Sequence, residues 1–209
     1  MSFSNLYVFP GGNLEPSDYI NNNPAEAYSA YKKASIRETR EETGILIERE
    51  DLISFWAHWK TPQIQEGQPL FSTVFFITST SQEHSINNNC KEVVASEWQT
   101  AKGFLDRFQN KMIGLAPPQF YILSQLEKIK SQNEFKELFN LNMEVERKAF
   151  VFHPKIITHK GKIISILPGD REYEGNNQGT DFHRMILDKK DITKLESISI
   201  IDTRFSNKA

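Results

Sequence analysis

Arg37-Glu38-Thr39-Arg40-Glu41-Glu42-Thr43-Gly44-Ile45 is the stretch whose reading decides the fold. On a helix, Glu38 stands three residues before Glu41 and four before Glu42, so the three carboxylates share neighbouring parts of one face. Arg37, four residues before Glu41, offsets part of that charge and leaves the rest. Gly44 is placed to end the helix in the left-handed cap conformation. The acidic group therefore lies at the helix C-terminus, the end where the macrodipole disfavours anions. A local rule broken in this way points to function. A hard divalent cation resolves the conflict, because Mg²⁺ and Mn²⁺ take oxygen ligands and share their shell with water and phosphates.

Working outward, Leu6-Tyr7-Val8-Phe9 is a short β-favouring run that stops at Pro10-Gly11-Gly12. The two glycines permit unusual backbone angles and a close approach to the main chain. The helix has a start signal in Asn23 as N-cap, Pro24 at the first helical position and Glu26 three after the cap. Ala27, Ala30, Tyr31 and Ala34 recur at helical spacing and supply its packing face. Charged helix faces are often plain solvated surfaces. The order Gly-Gly, helix, acidic cluster sets this one apart.

The bulk properties narrow the class. A chain of 209 residues, 38% hydrophobic and 25% charged, is long enough for one substantial core or for a domain with an added subdomain. A net charge of −2 gives no electrostatic case for nucleic acid or an anionic membrane. The single cysteine, Cys90, excludes an internal disulfide framework and fits a reducing compartment. No apolar run approaches the roughly 18–20 residues that span a bilayer. The N-terminus shows no secretory pattern, and the last residues are not of the Ser-Lys-Leu peroxisomal type.

Past Gly44, Ile45-Leu46-Ile47 and Leu52 to Trp59 read as strands. Phe71 to Ile77, partly continuous in hydrophobicity, reads as a central strand. Lys91 to Trp98 reads as a further strand with its approach. Thr100 to Phe108 reads as a short helix, Pro117-Pro118 as the opening of a clear one, and Ser131-Gln132-Asn133-Glu134 as a capping box. After Asn142 short β-like runs take over, with turns at His159-Lys160-Gly161-Lys162 and Leu167-Pro168-Gly169-Asp170. Residues 1–142 and 143–209 are thus expected to form a main domain, its N-terminal strand abbreviated, and a β-rich extension packed on it. The five histidines show no paired metal spacing. The aromatic side chains Phe55, Trp56, Trp59, Phe75, Phe76 and Trp98 suit a core better than a base-stacking platform.

Gly-Gly, helix and Arg-Glu-x-x-Glu-Glu-x-Gly-Ile, in that order, resemble the Nudix box of the Nudix hydrolases. The likeness continues through Trp59-Lys60-Thr61-Pro62, Phe71 to Phe76, Lys91-Glu92-Val93-Val94, Pro117 to Tyr121, Leu167 to Asp170 and Phe182-His183-Arg184. These motifs look like a subgroup that includes a peroxisomal coenzyme A diphosphatase. The resemblance implies an α/β/α sandwich around a mixed sheet, with a C-terminal helical and β-strand extension. It implies a Mg²⁺- or Mn²⁺-dependent hydrolase acting on the diphosphate of a nucleoside diphosphate derivative, coenzyme A or acyl-coenzyme A being favoured. By position Glu41 and Glu42 match metal ligands, Glu38 a further metal-contacting or general-base carboxylate, and Arg37 an orienting arginine. Gly11 and Gly12 match the backbone that meets substrate, one of them lending a carbonyl to the metal. Glu92 matches a carboxylate that completes the metal site in some members. The partner implied is a nucleotide-type small molecule, with no nucleic acid or membrane, in a monomer or homodimer. The compartment expected is the cytoplasm, with peroxisome or mitochondrion suggested by the resemblance.

The chain departs from the pattern in two further places. The usual box carries a glutamate eight residues before the arginine, where Ser29 stands here, and the stretch from Gly12 to Arg37 is longer than standard. Glu15, Asp18 and Glu26 are candidate replacements between which the sequence does not choose. The basic residues that precede the Phe71 strand in the subgroup are replaced by Gln68-Pro69-Leu70. A Nudix-fold nucleotide-binding or scaffold protein without turnover is the alternative reading.

Overall fold

Helix α1, Ala27–Thr43, carries the acidic stretch and is built for its position. Ala30 and Ala34 are buried one turn apart, so the helix can approach its neighbours closely. Its end is fixed from within. The Thr43 hydroxyl donates to the Thr39 carbonyl at 2.6 Å, and Gly44, at φ +73, donates its N–H to the Arg40 carbonyl at 2.9 Å. A left-handed glycine after the last turn satisfies a carbonyl that would otherwise be orphaned. The computed structural model describes residues 6–19, 27–48, 54–63, 66–80, 84–87, 93–131, 133–137, 151–175, 180–191 and 194–203. The start signal at Asn23, Pro24 and Glu26, the residue Glu92 and the boundary near residue 142 lie outside the described residues.

Three sheets are present among the described residues. Strand β1, Leu6–Tyr7, pairs in parallel with β4, Gly114–Leu115. Strand β2, Ser54–Lys60, pairs antiparallel with β3, Ser72–Ile77, and in parallel with β5, Val151–Phe152. The third sheet is an antiparallel meander of β6, Lys155–His159, β7, Lys162–Ile166, β8, His183–Asp191, and β9, Lys194–Asp202. Two more helices complete the set: α2, Ala101–Gln109, and α3, Pro117–Leu126. Thr100 caps α2 by accepting the Gly103 N–H at 3.0 Å, and Pro117-Pro118 opens α3 at its first turn. The fold is an α/β type built on mixed sheet.

Strand β3 shows how the layers stack. Successive side chains on a strand face opposite ways. Phe75 meets Phe9 with ring centroids 6.3 Å apart, while Phe76 meets Tyr28 of α1 at 5.6 Å. One short strand therefore anchors both the segment entering Pro10-Gly11-Gly12 and the helix carrying the carboxylates. On the Phe75 side lies the main core, where Ala57 and Trp59 of β2, Phe108 of α2, Phe120 and Tyr121 of α3, and Met185 and Leu187 of β8 are all buried. Trp59 stacks flat on Phe152 at 4.6 Å and edge-on to Tyr121 at 5.5 Å. Such aromatic pairs contribute about 0.5–1.5 kcal/mol each beyond the area they bury. Tyr7 of β1 is held against Phe104 of α2 and beneath the Arg107 guanidinium, 5.1 Å from the ring.

Buried polar groups in the last sheet are paired. His183 is fully buried; its Nδ1 meets the Pro168 carbonyl at 2.7 Å and its Nε2 the Tyr121 hydroxyl at 2.9 Å. A carbonyl only accepts, so the ring proton is assigned to Nδ1, and Nε2 accepts from the tyrosine. Arg184 forks onto Asp170, Nε to Oδ2 at 2.8 Å and Nη2 to Oδ1 at 2.6 Å. The same carboxylate accepts the backbone N–H groups of Glu172 and His183. The turn that delivers Asp170 has Gly169 at φ +89 after Pro168, the type II pattern, closed by Asp170 N–H to Leu167 O at 3.1 Å. The β6–β7 hairpin turns through Lys160 at φ +49 and Gly161 at φ +75, both left-handed as a type I′ turn requires.

Three expectations from sequence are corrected. Ile45-Leu46-Ile47 forms no strand; Gly44 redirects the chain, and Leu46 is exposed. The Phe71 strand is not central among the described residues. Among the described residues β3 pairs with β2 alone, and its hydrophobic run is used on two faces, against Phe9 and Tyr28. The described part of the Lys91–Trp98 run, residues 93–98, is not a strand. Val94 is fully exposed there, and Trp98 bonds through its indole N–H to the His84 carbonyl at 3.0 Å.

Candidate functional site

The last turns of α1 meet the loop that follows β1, and the contacts run through the two glycines. Gly11 donates its N–H to Glu42 Oε2 at 2.9 Å. Gly12 lies so close to Glu38 that a Cβ added to it would stand 2.2 Å from Oε1. Neither glycine has a positive φ, so close approach rather than an unusual backbone angle is what Gly12 supplies.

Arg37 is the hub on the other side. Its Nη1 donates to Glu38 Oε1 at 2.8 Å and to Glu41 Oε2 at 3.4 Å, with Glu15 Oε1 at 3.9 Å. Its Nη2 donates to the Asn13 carbonyl at 2.9 Å and to Asp18 Oδ2 at 3.1 Å, and its Nε to Asp18 Oδ1 at 3.3 Å. Asp18 closes a short 3₁₀ turn, Pro16–Asp18, and is 3% exposed. Its Oδ2 also accepts the Glu15 N–H at 2.7 Å. Burial alone would raise the Asp18 carboxyl; hydrogen bonds from Arg37 and Glu15 and the charges of Arg37 and Lys33 outweigh it and hold it below the usual carboxylate range. The hydrogen bond to Asp18, aided by Glu38, lifts the Arg37 pKa further above its already high value.

The structure thus brings together Arg37, Glu38, Glu41, Glu42, Gly11 and Gly12. Among the described residues, no three His, Cys, Asp or Glu side chains group tightly enough to hold a metal ion as they stand. The donor set is still the one a hard cation takes: carboxylate oxygens on one helix end, facing a glycine backbone that Glu38 can approach without obstruction. Ser29 lies eight residues before Arg37 on the same helix, about 12 Å along its axis at 1.5 Å per residue. No side chain at that position spans the gap. Of the three candidate replacements, Asp18 is the one that forks onto Arg37, Glu15 reaches it more distantly, and Glu26 lies outside the described residues. A signal for Asp18 exists in the sequence: Glu15-Pro16-Ser17-Asp18 has the spacing of a helical cap, with proline in the first turn.

The profile of the NUDT19 Nudix domain matches residues 51–126, a stretch that begins after the acidic helix. Over that stretch the chain is similar to the Nudix family. The matching profile within that family is the one for NUDT19. It is similar to the acyl-coenzyme A diphosphatase NUDT19 of Xenopus laevis, 34% identical over 122 residues, which are 56% of this chain and 31% of the relative. The proteins of the same name from Gallus gallus and Homo sapiens are 30% and 28% identical, over 56% of this chain and 32% and 31% of their own length. The chain therefore spans about a third of the length of these curated relatives. No solved structure gives a significant match. No described helix is long and apolar enough to cross a membrane.

Proposed function

We propose that this chain is a Mg²⁺- or Mn²⁺-dependent hydrolase that splits the diphosphate of a nucleoside diphosphate derivative, with coenzyme A or an acyl-coenzyme A as the favoured substrate. One observation carries the reading: Arg37, Glu38, Glu41 and Glu42 gather around Gly11 and Gly12 at the end of one helix. The relatives' names supply the substrate class.

Glu38, Glu41 and Glu42, with the Gly12 carbonyl and Glu92, would hold the cation. When bound, the metal would neutralise the diphosphate and acidify the attacking water. The remaining work falls to the chain. Glu38 takes the proton of the attacking water as general base. Arg37 holds one oxygen each of Glu38 and Glu41 and so fixes their spacing. The Gly11 N–H fixes Glu42 in the same way. The bare Gly11-Gly12 backbone leaves room for phosphate oxygens beside the carboxylates. Residues 1–142 form the hydrolase domain in this reading, and 143–209 an extension packed on it. Shared burial of Trp59, Phe108 and Tyr121 with Leu167, Met185 and Ile198 supports that packing.

A binding protein without turnover is the second reading. The engagement of Glu38 and Glu41 by Arg37, together with serine at position 29, favours it. A hydrolysis screen with coenzyme A, acyl-coenzyme A, ADP-ribose and NADH, with and without Mg²⁺ or Mn²⁺, decides between them. Metal-dependent cleavage of the diphosphate of a coenzyme A substrate, giving 3′,5′-adenosine bisphosphate and a phosphopantetheine product, is expected. Tight binding of one compound with cleavage of none would establish the binding protein instead.

A further inference from the structure

Asp18 is a charged side chain buried at the edge of the site, and nothing in the hydrolase scheme above uses it. Its two oxygens are spent on Arg37 and on the Glu15 N–H. The consequence falls on Arg37. With Nε and Nη2 turned to Asp18 and to the Asn13 carbonyl, Nη1 alone reaches Glu38 and Glu41. Each of those glutamates therefore gives Arg37 a single oxygen, not a two-toothed grip. Asp18 also cancels the guanidinium charge where a cation has to enter.

We infer that Asp18 is the positioning residue of this site, holding Arg37 so that Glu38 and Glu41 keep an oxygen each for a divalent cation, and that it does so in place of the carboxylate Ser29 lacks. The inference rests on the hydrolase reading and extends it. Without Asp18 the guanidinium swings toward the glutamates, competes with the cation and repels it. A mere fold-stabilising role would lower the melting temperature and leave metal affinity and turnover of the folded fraction unchanged.

The test compares wild type, Asp18→Asn, Arg37→Gln and the double variant as full chains. It measures Mn²⁺ affinity by electron paramagnetic resonance, thermal unfolding, and kcat and KM on the compound cleaved fastest in the screen. Asp18→Asn should unfold cooperatively, bind Mn²⁺ about tenfold more weakly and lose about tenfold in kcat with KM within about twofold, and the double variant should be no worse than Arg37→Gln alone. Wild-type Mn²⁺ affinity and kcat in Asp18→Asn, or additive losses in the double variant, would overturn the inference. Should Asp18→Asn fail to fold, Asp18→Glu decides: its carboxylate sits one methylene further out, so reduced kcat at unchanged KM supports the inference and wild-type kcat overturns it. A wild-type chain that binds Mn²⁺ but cleaves nothing defeats the hydrolase reading and leaves Asp18 to be judged on Mn²⁺ affinity alone. A wild-type chain that neither binds nor cleaves defeats both.

Discussion

Gly12 and Glu38 are in closer register than any side chain at position 12 would allow, since a Cβ there would stand 2.2 Å from Glu38 Oε1. What obstructs it is the far end of a flexible side chain. Gly12→Ala should therefore displace the Glu38 carboxylate and leave the fold intact. Stability should change by no more than about 0.5 kcal/mol, while kcat falls at least about tenfold, or 1.4 kcal/mol of barrier. Gly11→Ala leaves Glu38 where it is, because a Cβ there meets nothing within 4 Å and the N–H to Glu42 is retained, so it should lose less kcat than Gly12→Ala. Paired kinetics and thermal unfolding of the two variants check this; equal losses would refute it.

Glu41 is half-exposed and touches Arg37 only at 3.4 Å, so it contributes little to stability. Glu41→Gln should melt like wild type and lose metal-dependent turnover by about a hundredfold or more. Full activity in that variant would remove Glu41 from the metal site.

The buried Asp170–Arg184 pair should contribute to the acid stability of the fold. Burial would raise Asp170, yet the bonds from Arg184 and from the Glu172 and His183 amides hold its pKa below the usual carboxylate range. A carboxyl depressed in the folded state adds stability that is complete above the unfolded pKa of about 4 and is lost as pH falls through the lower folded value. Asp170→Asn should cost about 3–5 kcal/mol at neutral pH by stranding the buried guanidinium. It should also flatten the loss of stability below about pH 4, which denaturant titrations across that range would reveal.

The β6–β7 hairpin tests the turn reading. Gly161 at φ +75 admits no branched side chain without strain, so Gly161→Val should lower stability by about 1–2 kcal/mol. Lys160 also sits left-handed, at φ +49, and Lys160→Asn should raise stability by a few tenths of a kcal/mol, about what an Asn-Gly type I′ turn gains. Melting curves of both variants give the sign directly.

Local rules wrote themselves plainly in this chain. The Gly44 cap, the Thr100 and Pro117 helix starts, the Lys160-Gly161 hairpin and the Pro168-Gly169 turn each depend on residues within a few positions, and each was legible in sequence. The order of Gly11-Gly12 and Arg37 to Glu42 likewise pointed to the class of site proposed above. Tertiary structure decided what depends on distant partners. Among the described residues it put β3 at an edge with a helix behind one face and a core behind the other, because the same alternation of apolar side chains serves a central strand and a two-faced edge. It left Ile45–Ile47 and residues 93–98 unpaired, since a β-favouring run needs a neighbour to bond with. It also chose Asp18 over Glu15 as the partner that forks onto Arg37. That choice turns on which carboxylate the 3₁₀ turn buries beside the guanidinium, a matter of a few ångströms that composition and spacing leave open.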